Sequence, residues 1–172
     1  MVVMGIDPGF AITGWAFMDF QDRHTFELLE FGVITTPKEL EFEKRLKELF
    51  LDLKELISTY KPTVAGVETL LFHKNVKTAI TVGEARGVIM LALEMANVSI
   101  KEFTPLQIKN SIAGFGRATK KQVQENVTRL CQLDSIPQPD DAADAIATAI
   151  CCYDSLSFDM LVNLNSKIKN ND

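Results

Sequence analysis

Four carboxylates in this chain stand where a charge is costly unless it is used. Asp7 ends the apolar run Val2-Val3-Met4-Gly5-Ile6 and is followed by Pro8-Gly9. Glu68 ends a second apolar run, Val64-Ala65-Gly66-Val67. Asp141 and Asp144 lie in the alanine-rich stretch Asp140-Asp141-Ala142-Ala143-Asp144-Ala145-Ile146-Ala147. Taken singly, Asp7 reads equally well as a turn residue and Glu68 as an ordinary strand end. The helical stretch separates the roles. Asp140 can cap the helix, where Asn would serve nearly as well, and Asp141 can favour the helix dipole. Asp144 has no such structural task. Asp141 and Asp144 are three residues apart and share one helix face. Two carboxylates there, facing two more at a sheet edge, repel one another unless cations lie between them. Oxygen-only ligands select a hard metal, Mg²⁺ or Mn²⁺. Four carboxylates can hold two such ions about 4 Å apart, the arrangement that activates water in phosphodiester hydrolysis.

The elements that must position these acids are legible in turn. Residues 2–7 read as a buried strand and residues 12–20 as a second, rich in β-branched and aromatic types. The short Pro-Gly link makes them a hairpin, and a third strand over 25–34 completes an antiparallel meander. From Glu39 to Tyr60 the period changes: Phe42, Leu46, Leu49, Leu53, Leu56 and Tyr60 recur at helical spacing. Lys61-Pro62 ends that helix. The strand 63–68 follows a long helix and is expected parallel to an earlier strand; beside the first strand, it makes Asp7 and Glu68 neighbours. A loop runs from Leu70 to Asn75. Residues 76–96 form a helix apolar on more than one face, with Gly83 and Gly87 one turn apart. One face covers the sheet and the other meets a partner subunit, with Ile89 taken as an interface position. A strand over 98–103, helices over 105–113 and 119–132 with Thr119 as N-cap, and a last helix from Asp140 to about Tyr153 complete the chain. The tail 155–172 ends in polar residues and is expected to be partly disordered.

The bulk properties suit one globular domain of 172 residues with a real core, 47% of them hydrophobic. No charged-then-apolar leader and no membrane-spanning stretch is present in the sequence. Cys131, Cys151 and Cys152 are odd in number and lack metal spacing, so they read as reduced thiols of a cytoplasmic protein. The net charge is −5, yet Lys74 to Arg129 holds nine Lys and Arg against four Glu, a local net charge of +5. An acidic pocket beside a basic surface fits a metal-dependent enzyme acting on phosphates. His24 and His73 are isolated and stay outside the metal site.

Gly5-Ile6-Asp7-Pro8-Gly9, Val67-Glu68, Lys74-Asn75, Gly83-Glu84-Ala85-Arg86-Gly87-Val88, Gln107-Ile108-Lys109, Lys120 with Gln122-Val123-Gln124, and Asp141-Ala142-Ala143-Asp144-Ala145 resemble the RuvC family of bacterial Holliday-junction resolvases. The likeness runs from residue 2 to about 153, in order and in spacing. It implies an α/β, ribonuclease H-like fold over residues 1–154, a five-stranded mixed sheet with helices on both sides. It further implies a homodimer that nicks two strands of a four-way DNA junction symmetrically and leaves 5′-phosphate ends. By that resemblance Asp7, Glu68, Asp141 and Asp144 ligate two Mg²⁺ ions, with Mn²⁺ able to substitute, and Lys120 joins them as a catalytic residue. The DNA-facing set it implies is Phe72, Lys74, Lys109, Arg117, Lys120 and Lys121, with a branch-migration helicase complex as a further partner. Leu71 and Phe72 both stand where the family inserts an aromatic side chain into the junction; base stacking favours Phe72.

Rival readings are a sugar-kinase or actin-type ATPase, which needs two such domains, a junction-binding protein without cleavage, and a related nuclease acting on RNA–DNA hybrid. A mere binder has no use for acids facing phosphate. Cleavage of a synthetic junction beside hybrid and duplex controls separates the others.

Overall fold

The computed structural model describes residues 1–22, 25–69 and 76–169, with the backbone alone for 76–78 and 159–169. Leu71, Phe72, Lys74, His24 and His73 lie outside the described residues. The chain opens with β1 (Val2–Asp7), β2 (Ile12–Phe20) and β3 (Phe26–Thr35), then α1 (Phe42–Tyr60), β4 (Val64–Glu68) and α2 (Val76–Met95). β5 (Ser99–Phe103), α3 (Pro105–Ala113), α4 (Lys120–Leu130) and α5 (Asp140–Lys169) follow. The five strands form one sheet in the order β3-β2-β1-β4-β5. β1 and β2, and β2 and β3, pair antiparallel; β1 and β4, and β4 and β5, pair parallel. This is the five-stranded mixed sheet that the resemblance implies.

β1 and β4 are apolar on both faces because helices cover both, as buried parallel strands require. On one face Val3, Ala16, Met18 and Val64 pack against Ile108 and Ile112 of α3, Val123 and Val127 of α4, and Ala145 and Ala149 of α5. On the other, Met4, Ile6, Phe17, Ala65 and Val67 pack against Leu49 and Leu53 of α1 and Ala85, Ile89 and Leu93 of α2. Threonine capping boxes start α3 and α4: Thr104 with Gln107, and Thr119 with Gln122.

Two expectations are corrected here. Ile89 is fully buried between the sheet and α1, so it is a core residue and not an interface position. Among the described residues of α2 the exposed large apolar ones are Ile80, Leu91 and Met95, and a Cβ added at Gly83 or Gly87 would meet nothing within 4 Å. α5 also continues to Lys169 in a single helix, beyond the end expected near Tyr153.

Candidate active site at the carboxylate edge

Register decides where the acids meet. Gly5 and Gly66 are paired across β1 and β4, as are Ile6 and Val67. Asp7 and Glu68 come one step further along the same two strands. Each lies two residues beyond its glycine, on the face turned to α5, because side chains alternate along a strand. The glycines explain why α5 reaches them. A Cβ at Gly5 would stand 2.0 Å from the Ala145 carbonyl oxygen, and one at Gly66 2.8 Å from the Cys152 Cβ. The backbone of α5 therefore lies almost on the sheet, and its first turns carry Asp141 and Asp144 over the ends of β1 and β4. Glycine inside a strand pattern is the sequence signal for such an approach.

The turn after Asp7 is pinned by residues that sequence reasoning missed. Thr13 is buried and donates its hydroxyl to the Gly9 carbonyl at 2.6 Å. Thr36 donates to the Phe10 carbonyl at 2.7 Å and accepts from Arg45 Nε at 3.0 Å. The Arg45 guanidinium lies 3.9 Å from the Phe10 ring centroid. Beyond Glu68, the Thr69 N–H donates to the Phe103 carbonyl at 2.8 Å and ties that end of β4 to β5.

The electrostatics report four acids in one another's field. Burial, then repulsion from Glu68, Asp144 and Asp141, pushes the Asp7 carboxyl up to about 8, with Lys120 pulling the other way. Burial and Asp144 push Glu68 up to about 7, opposed by Lys120 and Lys109. Asp144 is also raised, first by burial, against the pull of Lys120. The Lys120 ammonium, on the first residue of α4, contacts Asp140 Oδ2 at 2.6 Å and Asp144 Oδ2 at 2.8 Å. Burial acts to lower Lys120, but its hydrogen bonds to these two carboxylates outweigh that and raise it. Asp140 is therefore more than a helix-starting residue: the Lys120 hydrogen bond holds its carboxyl below the usual range.

Glu68, Asp144, Lys109 and Lys120 line one cleft of about 220 Å³, floored by Pro105, Ile108 and Val123. Arg117 is exposed in the α3–α4 loop. Lys121 points to solvent, 3.8 Å from Glu125 one turn on, and does not line the cleft. Among the described residues no group of three or more His, Cys, Asp or Glu side chains is placed to hold a metal ion as it stands, and Asp7 and Asp141 do not line this cleft. The four acids lie within electrostatic reach of one another, with the Lys120 ammonium balancing part of their charge. Their donor atoms are all carboxylate oxygens and they repel one another, which fits a hard divalent cation.

The family model described as crossover junction endodeoxyribonuclease RuvC matches residues 3–152. A crossover junction endodeoxyribonuclease RuvC from Heliobacterium modesticaldum is 48% identical over 158 residues, 92% of this chain and 97% of that one. Its counterpart from Petrotoga mobilis is 51% identical over 151 residues, 88% of this chain and 92% of the relative. The structure of Thermus thermophilus RuvC in complex with a Holliday junction substrate superposes with a TM-score of 0.83 at 30% identity, covering 88% of this chain and 92% of that one.

Proposed function

The chain belongs to the RuvC family of crossover junction endodeoxyribonucleases, and on that premise we propose that it resolves four-way DNA junctions by divalent-cation-dependent phosphodiester hydrolysis at the edge built from Asp7, Glu68, Asp141 and Asp144. One observation carries the reading. Three other carboxylates from two further elements all act on half-buried Asp7, and no structural role asks for that much like charge in one place.

In this reading Asp7 and Glu68 are the fixed half of the site, since both end strands held by ladders on either side. Asp141 and Asp144 close it from α5. The chemistry that two Mg²⁺ ions supply at such a set is polarisation of the phosphodiester and a more acidic water; Mn²⁺ shares the ligand preference. Lys120 stands beside Asp144 with its ammonium in the cleft, and the capped N-terminus of α4 favours phosphate at the same point. Lys109 lines the cleft with it and anchors the backbone of the bound strand. Arg117 and Lys121 extend this basic surface away from the chemistry, and Phe72 and Lys74, between β4 and α2 in the sequence, act on the junction.

Symmetric nicking of a two-fold junction needs two such edges, which a two-fold dimer supplies. The exposed Ile80, Leu91 and Met95, with open Gly83 and Gly87, make α2 the surface for it. The branch-migration helicase partner rests on family membership alone. The free thiols of Cys131, Cys151 and Cys152 support a reducing, cytoplasmic setting.

The test is cleavage of a synthetic four-way junction with Mg²⁺, beside linear duplex and RNA–DNA hybrid. Paired symmetric nicks with 5′-phosphates, on the junction alone, are expected. Asp7→Asn, Glu68→Gln, Asp141→Asn and Asp144→Asn should each lower the rate by about 100-fold or more, the scale for losing one charge-stabilising group, while junction binding persists. Hybrid cleavage in place of junction cleavage would overturn the substrate, and wild-type rates in any variant would remove that residue.

A further inference from the structure

Asp140 lies outside the set of four carboxylates, yet it takes the shorter of the two contacts made by Lys120, 2.6 Å against 2.8 Å to Asp144. Asp140 and Asp144 are one turn apart on α5 and share a face. Lys120 reaches them from the first turn of α4, so one ammonium, with three protons to donate, bridges both. The two acids differ in setting: the Asp140 side chain is 51% exposed and that of Asp144 21%. Asp140 thus stands at the solvent side of the bridge and Asp144 at the cleft side.

A lysine held by Asp144 alone would be a competitor for the site, because it occupies an oxygen that a cation needs. Once displaced, it would be free to swing into water on its flexible four-carbon stem. With Asp140 already in contact, the ammonium can give up Asp144 without leaving its place. We propose that Asp140 is a positioning residue: it retains Lys120 at the mouth of the cleft when Asp144 turns to ligate a divalent cation, which makes the lysine a fixed part of the phosphate surface and not a plug in the metal site. The inference rests on the reading that the four carboxylates hold that cation. It gives Asp140 no contact with the metal or the substrate.

A double-mutant cycle on the full-length protein tests it, with Mn²⁺ binding to the DNA-free protein followed by calorimetry or by loss of the free-ion spin signal. The four proteins are wild type, Asp140→Asn, Lys120→Ala and the double variant. Asn also serves at a helix start, so the fold of α5 is kept. With Lys120 present, Asp140→Asn should weaken Mn²⁺ binding on the order of fivefold, because displaced Lys120 has lost its second partner. In the Lys120→Ala background the same change should have no effect, and Asp140→Glu should restore wild-type binding. In single-turnover cleavage at saturating junction and Mg²⁺, Asp140→Asn should slow the step only when Lys120 is present. An equal loss in both backgrounds means that Asp140 acts as a general negative charge or as a ligand, and overturns the proposal while leaving the metal site intact. A wild-type protein that takes up no Mn²⁺ overturns the metal site, and this inference with it.

Discussion

Gly14 lies directly beneath the main-chain oxygen of Asp141: a Cβ at position 14 would stand 2.0 Å from it. Gly14 is also the antiparallel partner of Asp7. The contact that seats α5 on β2 is therefore the one that brings Asp141 to Asp7. Backbone proximity, more than any side-chain contact, sets the spacing of the carboxylates.

Gly14→Ala follows from this. The added methyl meets backbone, which cannot rotate away, so α5 must shift. We expect a loss of about 1–3 kcal/mol, the usual cost of overpacking, measured by urea denaturation. Cleavage should fall further than stability alone explains, because Asp141 and Asp144 move with the helix. Full activity in a folded Gly14→Ala protein would show that the close approach is not needed.

The raised carboxyls predict how metal-free stability depends on pH. Asp7 and Glu68 move from ordinary values of 3.8 and 4.5 to about 8 and about 7 in the folded chain. Between those limits the folded protein holds more protons than the unfolded one, so stability falls as pH rises. Their contribution is fully present below about pH 4 and is lost as pH passes through about 7 and 8. In chelator, the melting temperature should drop between pH 5 and 8.5 more steeply than in Asp7→Asn. Saturating Mg²⁺ should reverse the drop, with its largest stabilisation at the alkaline end. A melting temperature independent of both pH and Mg²⁺ would contradict the acid cluster.

On α2, Ile80 and Ile89 should behave differently. Ile80 is 57% exposed and Ile89 is at 0%. Ile80→Glu should leave the monomer folded and shift sedimentation from dimer to monomer, with paired incision lost and single nicks retained. Ile89→Glu should fail to fold, because an unpaired charge in the core costs several kcal/mol. A dimer unaffected by Ile80→Glu and by Leu91→Glu would place the interface elsewhere.

The lysines separate by position. Lys120→Ala should cleave slowly even with enzyme in excess over saturating concentrations, because the lost charge is one that stabilises the transition state. Lys109→Ala should show both a slower step and weaker binding, with its salt dependence flatter by about one unit of slope. Lys121→Ala, away from the cleft, should change binding only. A Lys120→Ala protein that cleaves at the wild-type rate once saturated would reduce Lys120 to a phosphate anchor.

Much of this was legible in the chain itself. Element spans follow from local periodicity, so α1 ends at Tyr60 before Lys61-Pro62, α3 runs over 105–113, and Thr119 caps α4, all as the pattern requires. β4 lies parallel beside β1 because a long helix separates it from the meander. Asp7, Glu68 and Asp144 stood out because each is a lone charge among apolar residues, and Asp141 because it shares the helix face of Asp144. What tertiary structure alone decided is non-local. α2 is apolar nearly all round, so no amphipathic stripe distinguishes buried Ile89 from exposed Ile80; only the position of the sheet does. Asp140 looked like a cap because its local role is satisfied by any short polar side chain, and the ammonium that recruits it comes from a residue on another helix. Gly5, Gly14 and Gly66 announce a close approach without saying by what, since a missing side chain carries no address; the partner is fixed only when α5 packs down and sets Asp141 and Asp144 over Asp7 and Glu68.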